Sequence, residues 1–382
     1  MSTIQTNAIV DASGGNTTTV NGISPLANTA RFGRNMIING AMQVAQKGTT
    51  SGSEGYQTVD RFHTYKESCE QLAVTQSQST TAPAGFGKSW KLDVTTAESA
   101  IEANDLYQIV TRLEGQDLQH LEHGSSTAKS VTLSFWVRSS KTGTYGISLY
   151  KRDSFKDITS TYTISSANTW EKKTVTFVGD SSSTIDNDNG RSLDITWRLL
   201  VGSQFTGTTS TSWGTGTDAR SGNGHTSTWG SSTSDDFYLT GVQLEVGDTA
   251  TDFEHLSYGE ELAACQRYYY QIGDGTGFGS AQSGSGANAY LWAYPFRHPV
   301  PMRAAPTLSL ISGGSTYFVG GIGVTIGTPT GDLGTVNTSS MSIPTSNKTN
   351  IAVHRLGLNG FSFTRGMGYG GTSGFIHCDA EI

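Results

Sequence analysis

The sequence predicts an all-β protein, in which a jelly-roll β-sandwich is followed by a smaller β-sandwich domain. Glycine makes up 47 of the 382 residues, and serine and threonine are abundant, which favours turns and strands over helices. In residues 131–138, VTLSFWVR, apolar side chains recur at every second position, as in a strand with one buried face. The apolar content of 35% suffices for a hydrophobic core. We therefore expect neither a helical bundle nor a disordered chain.

Four parts follow one another along the chain. Residues 1–34 contain few core-forming side chains and predict an extended arm that becomes ordered against a partner. Residues 35–256 alternate apolar strands with polar turns and predict the jelly roll. Residues 257–270 carry a linking helix, and residues 271–382 return to short strands between glycine-rich turns, as a C-terminal β-domain.

The strand 237–246, FYLTGVQLEV, changes phase part-way along its length. Leu239 belongs to one alternating series, whereas Val242 begins another. A bulge at Thr240 and Gly241 would return the apolar side chains to the inward face, and glycine is well tolerated at such a position.

One helix is expected where the strand pattern stops. Ser257, with Glu260 three positions later, has the residue types of a capping box. Leu262 and Cys265 continue at helical spacing. We therefore predict a helix over Ser257–Arg267 that links the two β-domains.

Charge and cysteine content argue against several classes of protein. The net charge of −7 argues against a nucleic-acid partner, because phosphate binding needs clustered Lys and Arg. No stretch approaches the roughly 20 apolar residues that span a bilayer, and the chain begins without a secretion signal, so no membrane insertion is expected. Cys69, Cys265 and Cys378 lack metal-site spacing and predict free, buried thiols in a protein that folds in a reducing cytoplasm.

Two segments imitate ligand-binding loops, and neither is interpreted as one: FGKSW is followed by a predicted strand, and DNDNG is interpreted as a turn. FGKSW at 86–90 resembles the end of a phosphate-binding loop, but Ala82 stands where that loop needs its first glycine. DNDNG at 186–190 resembles a calcium loop, but Gly190 replaces its third ligand and no glutamate closes it. We expect no cofactor, and a structural calcium ion elsewhere stays open, with no residues assigned to it.

No arrangement for catalysis stands out, and we expect a protein that is not an enzyme. The eight histidines lie in unrelated contexts, and none belongs to a nucleophile elbow. A pair of acids for glycoside hydrolysis converges only in space, so the sequence leaves that alternative open.

A polar loop between residues 202 and 236 holds the candidate binding residues. Sugar rings stack on aromatic faces, and polar side chains bind sugar hydroxyls, so a loop that mixes both types suits glycan recognition. The candidates for glycan binding are Trp213, Asp218, Arg220, Asn223, His225 and Trp229. Under the alternative interpretation, the two tryptophans fold back to seal the sandwich or pack on a neighbouring chain.

Four stretches together resemble a family of virion proteins of tailed bacteriophages, known as tail fibre or carbohydrate-binding-like structural proteins. They are NMIINGAMQVAQKGT with YQTVDRF, SVTLSFWVRSSKTGTY, FYLTGVQLEVGDTATDFEHLSYGEELAACQRYYY, and FRHPVPMRAAPTLSL. The resemblance runs from about residue 35 to the final DAEI. It implies a jelly roll like that of carbohydrate-binding modules, carried on the virion and often homotrimeric. It brings neither a defined catalytic site nor a sugar-binding residue at a numbered position.

The sequence and the resemblance together predict a structural protein of the phage virion, assembled in the host cytoplasm. The first hypothesis is a homotrimeric tail fibre that adheres to host-surface polysaccharide and is attached to tail or capsid proteins through residues 1–34. A capsid-attached fibre or decoration protein of the same fold is the alternative. A polysaccharide-degrading tailspike is a third hypothesis, disfavoured because no repeat of fixed period is present. A binding module of a secreted enzyme is the weakest, since it would need a signal peptide.

Overall fold

The computed structural model describes residues 33–272, except 208, 209, 218–221 and 223, together with residues 298–312 and 374–382 and the backbone of short strands between them. The first twelve strands are β1 Thr50–Ser51, β2 Phe62–Glu67, β3 Ala73–Ser79, β4 Ser89–Thr96, β5 Leu106–Glu114, β6 Val131–Ser139, β7 Gly143–Lys151, β8 Lys156–Ile164, β9 Glu171–Phe177, β10 Arg191–Val201, β11 Gly214–Thr215 and β12 Asp236–Val246. Short 3-10 helices lie at Gly115–Leu121 and Ser203–Phe205.

These twelve strands form two antiparallel sheets of six strands each. The first sheet has the order β1-β3-β4-β12-β6-β9, and the second has the order β11-β8-β7-β10-β5-β2. Neighbours in both sheets are mostly not consecutive in the chain, so the strands cross between the sheets as in a jelly roll. The predicted all-β class and the sandwich are confirmed.

The core lies between the two sheets and is built from alternate residues of each strand. Val131, Leu133, Phe135 and Val137 of β6 are buried, as the alternation predicts. Trp197 of β10 meets Phe135 edge to face, with the ring centroids 5.7 Å apart. Because successive side chains of a strand point to opposite faces, the outer face of the second sheet is left to its polar residues.

The predicted bulge in β12 is confirmed. The register with β6 shifts between Thr240 and Gln243, and Gly241 has a φ of +61°. The bulge brings Val242 into the core, and its amide donates a hydrogen bond to the Gly40 carbonyl at 2.9 Å. A Cβ on Gly40 would stand 2.1 Å from the Val242 carbonyl oxygen, so only glycine fits there.

The predicted helix is also confirmed, as α1 Tyr258–Gln266 with Ser257 as its N-cap. The Ser257 hydroxyl accepts a hydrogen bond from the Glu260 amide, and the Glu260 carboxylate accepts one from the Ser257 amide. Together these two hydrogen bonds form the expected capping box, which supplies partners for backbone amides at the N-terminus of the helix.

The strands after α1 are short. They are β13 Tyr269–Ile272, β14 Ser280–Ser283, β15 Tyr290–Ala293, β16 Phe296–Arg297, β17 Thr307–Ser312, β18 Phe318–Gly321, β19 Met341–Ser342, β20 Thr345–Ser346, β21 Asn350–Ala352, β22 Arg355–Leu356, β23 Met367–Gly370 and β24 Gly374–Asp379. β24 pairs with β13 on one side and β17 on the other. The domain boundaries proposed from the sequence stay predictions, and residues 1–32 of the arm lie outside the described residues.

Residues 379–382, here called the C-terminal segment, pack against the sandwich. The Glu381 carboxylate pairs with the buried Arg61 guanidinium, and Asp379 pairs with Lys47 at 2.9 Å. The Ile382 carbonyl accepts hydrogen bonds from the Tyr56 hydroxyl and from Arg112. The end of the described chain therefore touches the second sheet directly.

The three cysteines are free and buried, as predicted. Burial raises the pKa of Cys69 to about 12 and the pKa of Cys378 to about 11, and it raises the pKa of Cys265 well above its usual value. The reactive thiolate is therefore scarce at neutral pH, and the thiols act as small apolar side chains.

Candidate functional site

A polar groove lies on the outer face of the second sheet, with a volume of about 360 Å³. It is lined mainly by outward-facing residues of β2, β5, β7 and β10, with Asp157 of β8, and by Gly216 and Thr217, which follow β11. This size is in the range of ligand pockets, which run from about 300 to 1,000 Å³. We call this cavity the groove.

Strand register brings the polar residues of the groove together. On β10, Asp194 stands opposite Tyr150 of β7 and Arg112 of β5. Two residues further, Thr196 stands opposite Ser148 of β7. The intervening residues of β10 point into the core. The polar residues at alternate positions of neighbouring strands therefore lie side by side on the outer face.

His63 on β2 lines the groove and has one buried ring nitrogen without a hydrogen-bond partner. The residue is 4% exposed, and burial with the nearby charge of Arg112 lowers the pKa of His63 to about 3, so the ring is neutral. Its Nδ1 lies 3.1 Å from the Thr64 carbonyl oxygen, which only accepts, and this assigns the ring proton to Nδ1. Nε2 then carries a lone pair, and it has no hydrogen-bond partner.

Two further residues that line the groove each have a buried atom without a hydrogen-bond partner. These atoms are Oε1 of Gln108 and Nε of Arg112, both on β5. Arg112 Nε lies 3.9 Å from Asp194 Oδ1, which is an ion pair beyond hydrogen-bond length. Buried polar atoms without partners are few in native proteins. Three residues with such an atom line this one groove, which makes the groove the candidate binding site.

Basic side chains outnumber acidic ones along the groove. Its lining includes four arginines and two aspartates, namely Arg112, Arg152, Arg191, Arg198, Asp157 and Asp194. Arg191 binds Asp194 through both carboxylate oxygens, with Nε to Oδ1 at 2.6 Å. The Arg152 guanidinium lies 5.6 Å from the centroid of the Tyr150 ring.

Aromatic rings lie near both ends of the groove. Tyr65, on the edge strand β2, lines the groove and is 42% exposed. Phe155, in the turn between β7 and β8, is 61% exposed and has a φ of +53°, which is unusual for a bulky residue. Its carbonyl accepts a hydrogen bond from Gly216 at 2.8 Å, so Phe155 stands next to the groove wall.

The residues predicted from the sequence lie away from the groove where they are described. Trp229 is fully buried against Tyr107, with ring centroids 5.6 Å apart, which corrects its expected place in an exposed loop. Trp213 packs on the core, and its Nε1 donates to the Val178 carbonyl at 2.7 Å. Both tryptophans therefore seal the sandwich, as the alternative interpretation had it.

His225 is also a structural residue. Its Nδ1 accepts a hydrogen bond from the Gly146 amide at 3.3 Å, and its Nε2 donates to the Ser227 carbonyl at 3.0 Å. Burial lowers the pKa of His225 to about 4. The remaining candidates, Asp218, Arg220 and Asn223, lie outside the described residues, so a glycan site in this loop stays a prediction.

The structure agrees with both interpretations, with DNDNG as a turn and FGKSW running into a strand. The Asp188 carboxylate accepts a hydrogen bond from the Gly190 amide at 2.8 Å, just before β10 begins. FGKSW leads into β4 rather than into a helix. Among the described residues, no three acidic, histidine or cysteine side chains form a group that could hold a metal ion. No helix within those residues is long and apolar enough to cross a membrane.

Neither a protein-family model nor a curated protein matches the chain. Solved structures with some likeness include the enzymatically active domain of tailspike protein 4 of bacteriophage CBA120, at 11% identity over 56% of this chain and 22% of that chain, with a TM-score of 0.30. This chain thus spans about a fifth of the tailspike structure.

Carbohydrate-binding modules have a similar degree of likeness. A family 4 module is 10% identical over 55% of this chain and 98% of its own, with a TM-score of 0.28. The family 11 module of a cellulosomal cellulase of Clostridium thermocellum is 12% identical over 53% of this chain and 96% of its own, with a TM-score of 0.27.

Proposed function

We propose that the sandwich binds saccharide in the groove and that the chain serves as a non-enzymatic adhesion protein of a tailed-phage virion. The observation that carries the binding proposal is that three residues lining one groove, His63, Gln108 and Arg112, each have a buried polar atom without a partner. The virion role is supported by the resemblance of the four sequence stretches to phage fibre proteins.

The chemistry of the groove suits a sugar chain. A sugar hydroxyl both donates and accepts, so it can donate to His63 Nε2 or Gln108 Oε1 and accept from Arg112 Nε. Tyr65 is 42% exposed, and aromatic side chains of this kind are ones on which a pyranose ring can stack. From β2 to β8 the groove crosses four strand spacings, or about 19 Å at about 4.8 Å per spacing. That length accommodates several linked sugar units rather than one.

Adhesion to a host surface would follow from multiplying weak sites. Linking several sites raises avidity by about 10²–10⁴ without new contacts, provided that all sites can engage together. A homotrimer held on the particle by residues 1–34 would do this. The same gain in avidity is expected whether the chain is attached to the capsid or to the tail.

Polysaccharide cleavage is the rival function, because Asp157 and Asp194 both line the groove. They lie on either side of Tyr150 in the sheet, on β8 and β10. Glycosidases use one carboxyl group as an acid and a second as a base or nucleophile. Both oxygens of Asp194 are engaged by Arg191, which favours a structural role for this carboxylate over proton transfer.

A blocking substitution tests the groove. In Ser148→Trp the new indole would fill the groove floor, whereas Thr174→Trp places the same ring on the exposed outer face of the first sheet. We expect the wild type and Thr174→Trp to bind oligosaccharides from host envelope polysaccharide and Ser148→Trp to lose binding, with all three melting cooperatively. Equal binding by both variants would refute the groove, and release of new reducing ends would favour cleavage.

The virion role has its own tests. Antibody to this chain should label purified particles in electron micrographs, and the purified chain should have three times the mass of 40.6 kDa in solution. Absence from the particle would end the adhesion proposal. A monomer on the particle would favour a decoration protein over a fibre.

A further inference from the structure

The groove is positively charged in a protein of net negative charge. The whole chain carries −7, yet four arginines and two aspartates line the groove. The neutral ring of His63 adds nothing to this balance. A guanidinium stays charged at any pH a protein meets, so the excess is permanent.

The charge of Arg112 is only partly compensated. Its side chain is 18% exposed, and its nearest carboxylate, Asp194, already has both oxygens bound by Arg191. Burial lowers the pKa of Arg112, with Arg191 adding repulsion. A partly buried cation whose Nε–H has no acceptor is stabilised by any anion that reaches it.

The guanidinium of Arg112 is also held in place before any ligand arrives. It donates to the Ile382 carbonyl, which also accepts a hydrogen bond from the Tyr56 hydroxyl at 2.9 Å. On the backbone side, the Arg112 carbonyl accepts from Arg61 at 2.6 Å. A donor fixed in this way loses little entropy on binding.

We propose that the groove selects acidic saccharides, whose carboxylate or sulfate group is bound by Arg112 while His63 and Gln108 accept hydrogen bonds from neighbouring hydroxyls. Gln108 and Arg112 are four residues apart on β5, about 13 Å at about 3.3 Å per residue. The anionic group and the hydroxyls therefore belong to different parts of an oligosaccharide. Arg152 and Arg198 contribute to the attraction at longer range. This inference rests on the proposed saccharide binding.

Probe pairs that differ only in charge test the selection. Oligogalacturonate and its methyl ester form the carboxylate pair, and sulfated and unsulfated cello-oligosaccharides form the sulfate pair. Calorimetry on the full chain should give at least tenfold tighter binding for the charged member of one pair, and the preferred pair identifies the anion. Raising the salt concentration should weaken that charged member alone.

Arginine variants locate the effect. Arg112→Gln should lose at least tenfold in affinity for the acidic probe, but it also removes a bond to the Ile382 carbonyl and is expected to lower stability. Arg152 is exposed, so Arg152→Gln should fold normally and lose about threefold for the acidic probe, as exposed ion pairs do. Arg138→Gln is the matched control, because Arg138 lies over Tyr238 on the other sheet, 4.7 Å from the ring centroid.

The outcomes separate the two proposals. If charged and neutral probes bind the wild type with equal affinity, and Ser148→Trp binds neither, acidic selection is overturned but saccharide binding in the groove is supported. Acidic selection would also be overturned if Arg152→Gln and Arg112→Gln bound the acidic probe as tightly as Arg138→Gln does. If no probe of either charge binds, both the selection and the proposed function fail.

Discussion

Glu381→Gln should destabilise the sandwich, because it leaves the Arg61 guanidinium buried without its carboxylate. The side chains of Arg61 and Glu381 are 2% and 6% exposed. Removing one partner of a buried ion pair costs about 3–5 kcal/mol. Arg61 would keep its hydrogen bond to the Arg112 carbonyl and its position 3.4 Å from the Tyr268 ring centroid. We therefore expect the lower end of the range, about 3 kcal/mol.

Denaturant and thermal unfolding measure this loss. A loss of about 3 kcal/mol corresponds to a Tm lowered by about 6–12 °C for a domain of this size. Glu54→Gln is the control, because the Glu54–Lys66 pair is more exposed and should contribute less than about 1 kcal/mol. The double variant Arg61→Met, Glu381→Leu should recover most of the stability, since an apolar pair no longer buries a charge. A Glu381→Gln variant no less stable than the control would refute this account.

Three other substitutions test the placement of residues in the fold. Trp229→Ala should lower stability by about 3–5 kcal/mol, as loss of a buried aromatic does, and leave saccharide affinity unchanged in calorimetry below the Tm. Gly40→Ala should lose more stability in urea unfolding than Gly87→Ala, because its Cβ would meet the Val242 carbonyl oxygen whereas that of Gly87 meets nothing within 4 Å. Burial raises the pKa of Glu261 to about 7 in the folded chain from an ordinary 4.5. Wild-type stability relative to Glu261→Gln should therefore fall as pH rises from about 4.5 through 7, and equal pH profiles would contradict the burial of this carboxyl.

Local patterns in the sequence were sufficient for several elements of the fold. The alternation over residues 131–138 predicts both the strand and its buried face, because the period of two is a property of the strand itself. The bulge at Gly241 and the cap at Ser257 were equally predictable, since each depends on residues within a few positions. These predictions are correct because the interactions behind them join residues that are close together in the sequence.

The groove could not be predicted in this way. His63 on β2 and Arg112 on β5 converge through strand pairing that no local pattern specifies. Each appears in the sequence as a polar residue on the outward side of a strand, which is also what an ordinary solvent-facing sheet contains. The only signal was the charge along β10, where Arg191, Asp194 and Arg198 interrupt an apolar series. Trp229 misled for the converse reason, because its serine- and glycine-rich neighbours predict exposure whereas its own ring enters the core.

The C-terminal segment connects the stability of the chain to the groove. Arg112 lines the groove and binds the Ile382 carbonyl through Nη1. The adjacent Glu381 is fixed by Arg61, so the orientation of Arg112 depends on the segment staying docked. Glu381→Gln should therefore weaken acidic saccharide binding well below the Tm, where the sandwich is still folded, and leave neutral saccharide binding almost unchanged. A loss that is equal for both classes of ligand would mean that the segment supports the whole groove rather than its anion-binding arginine.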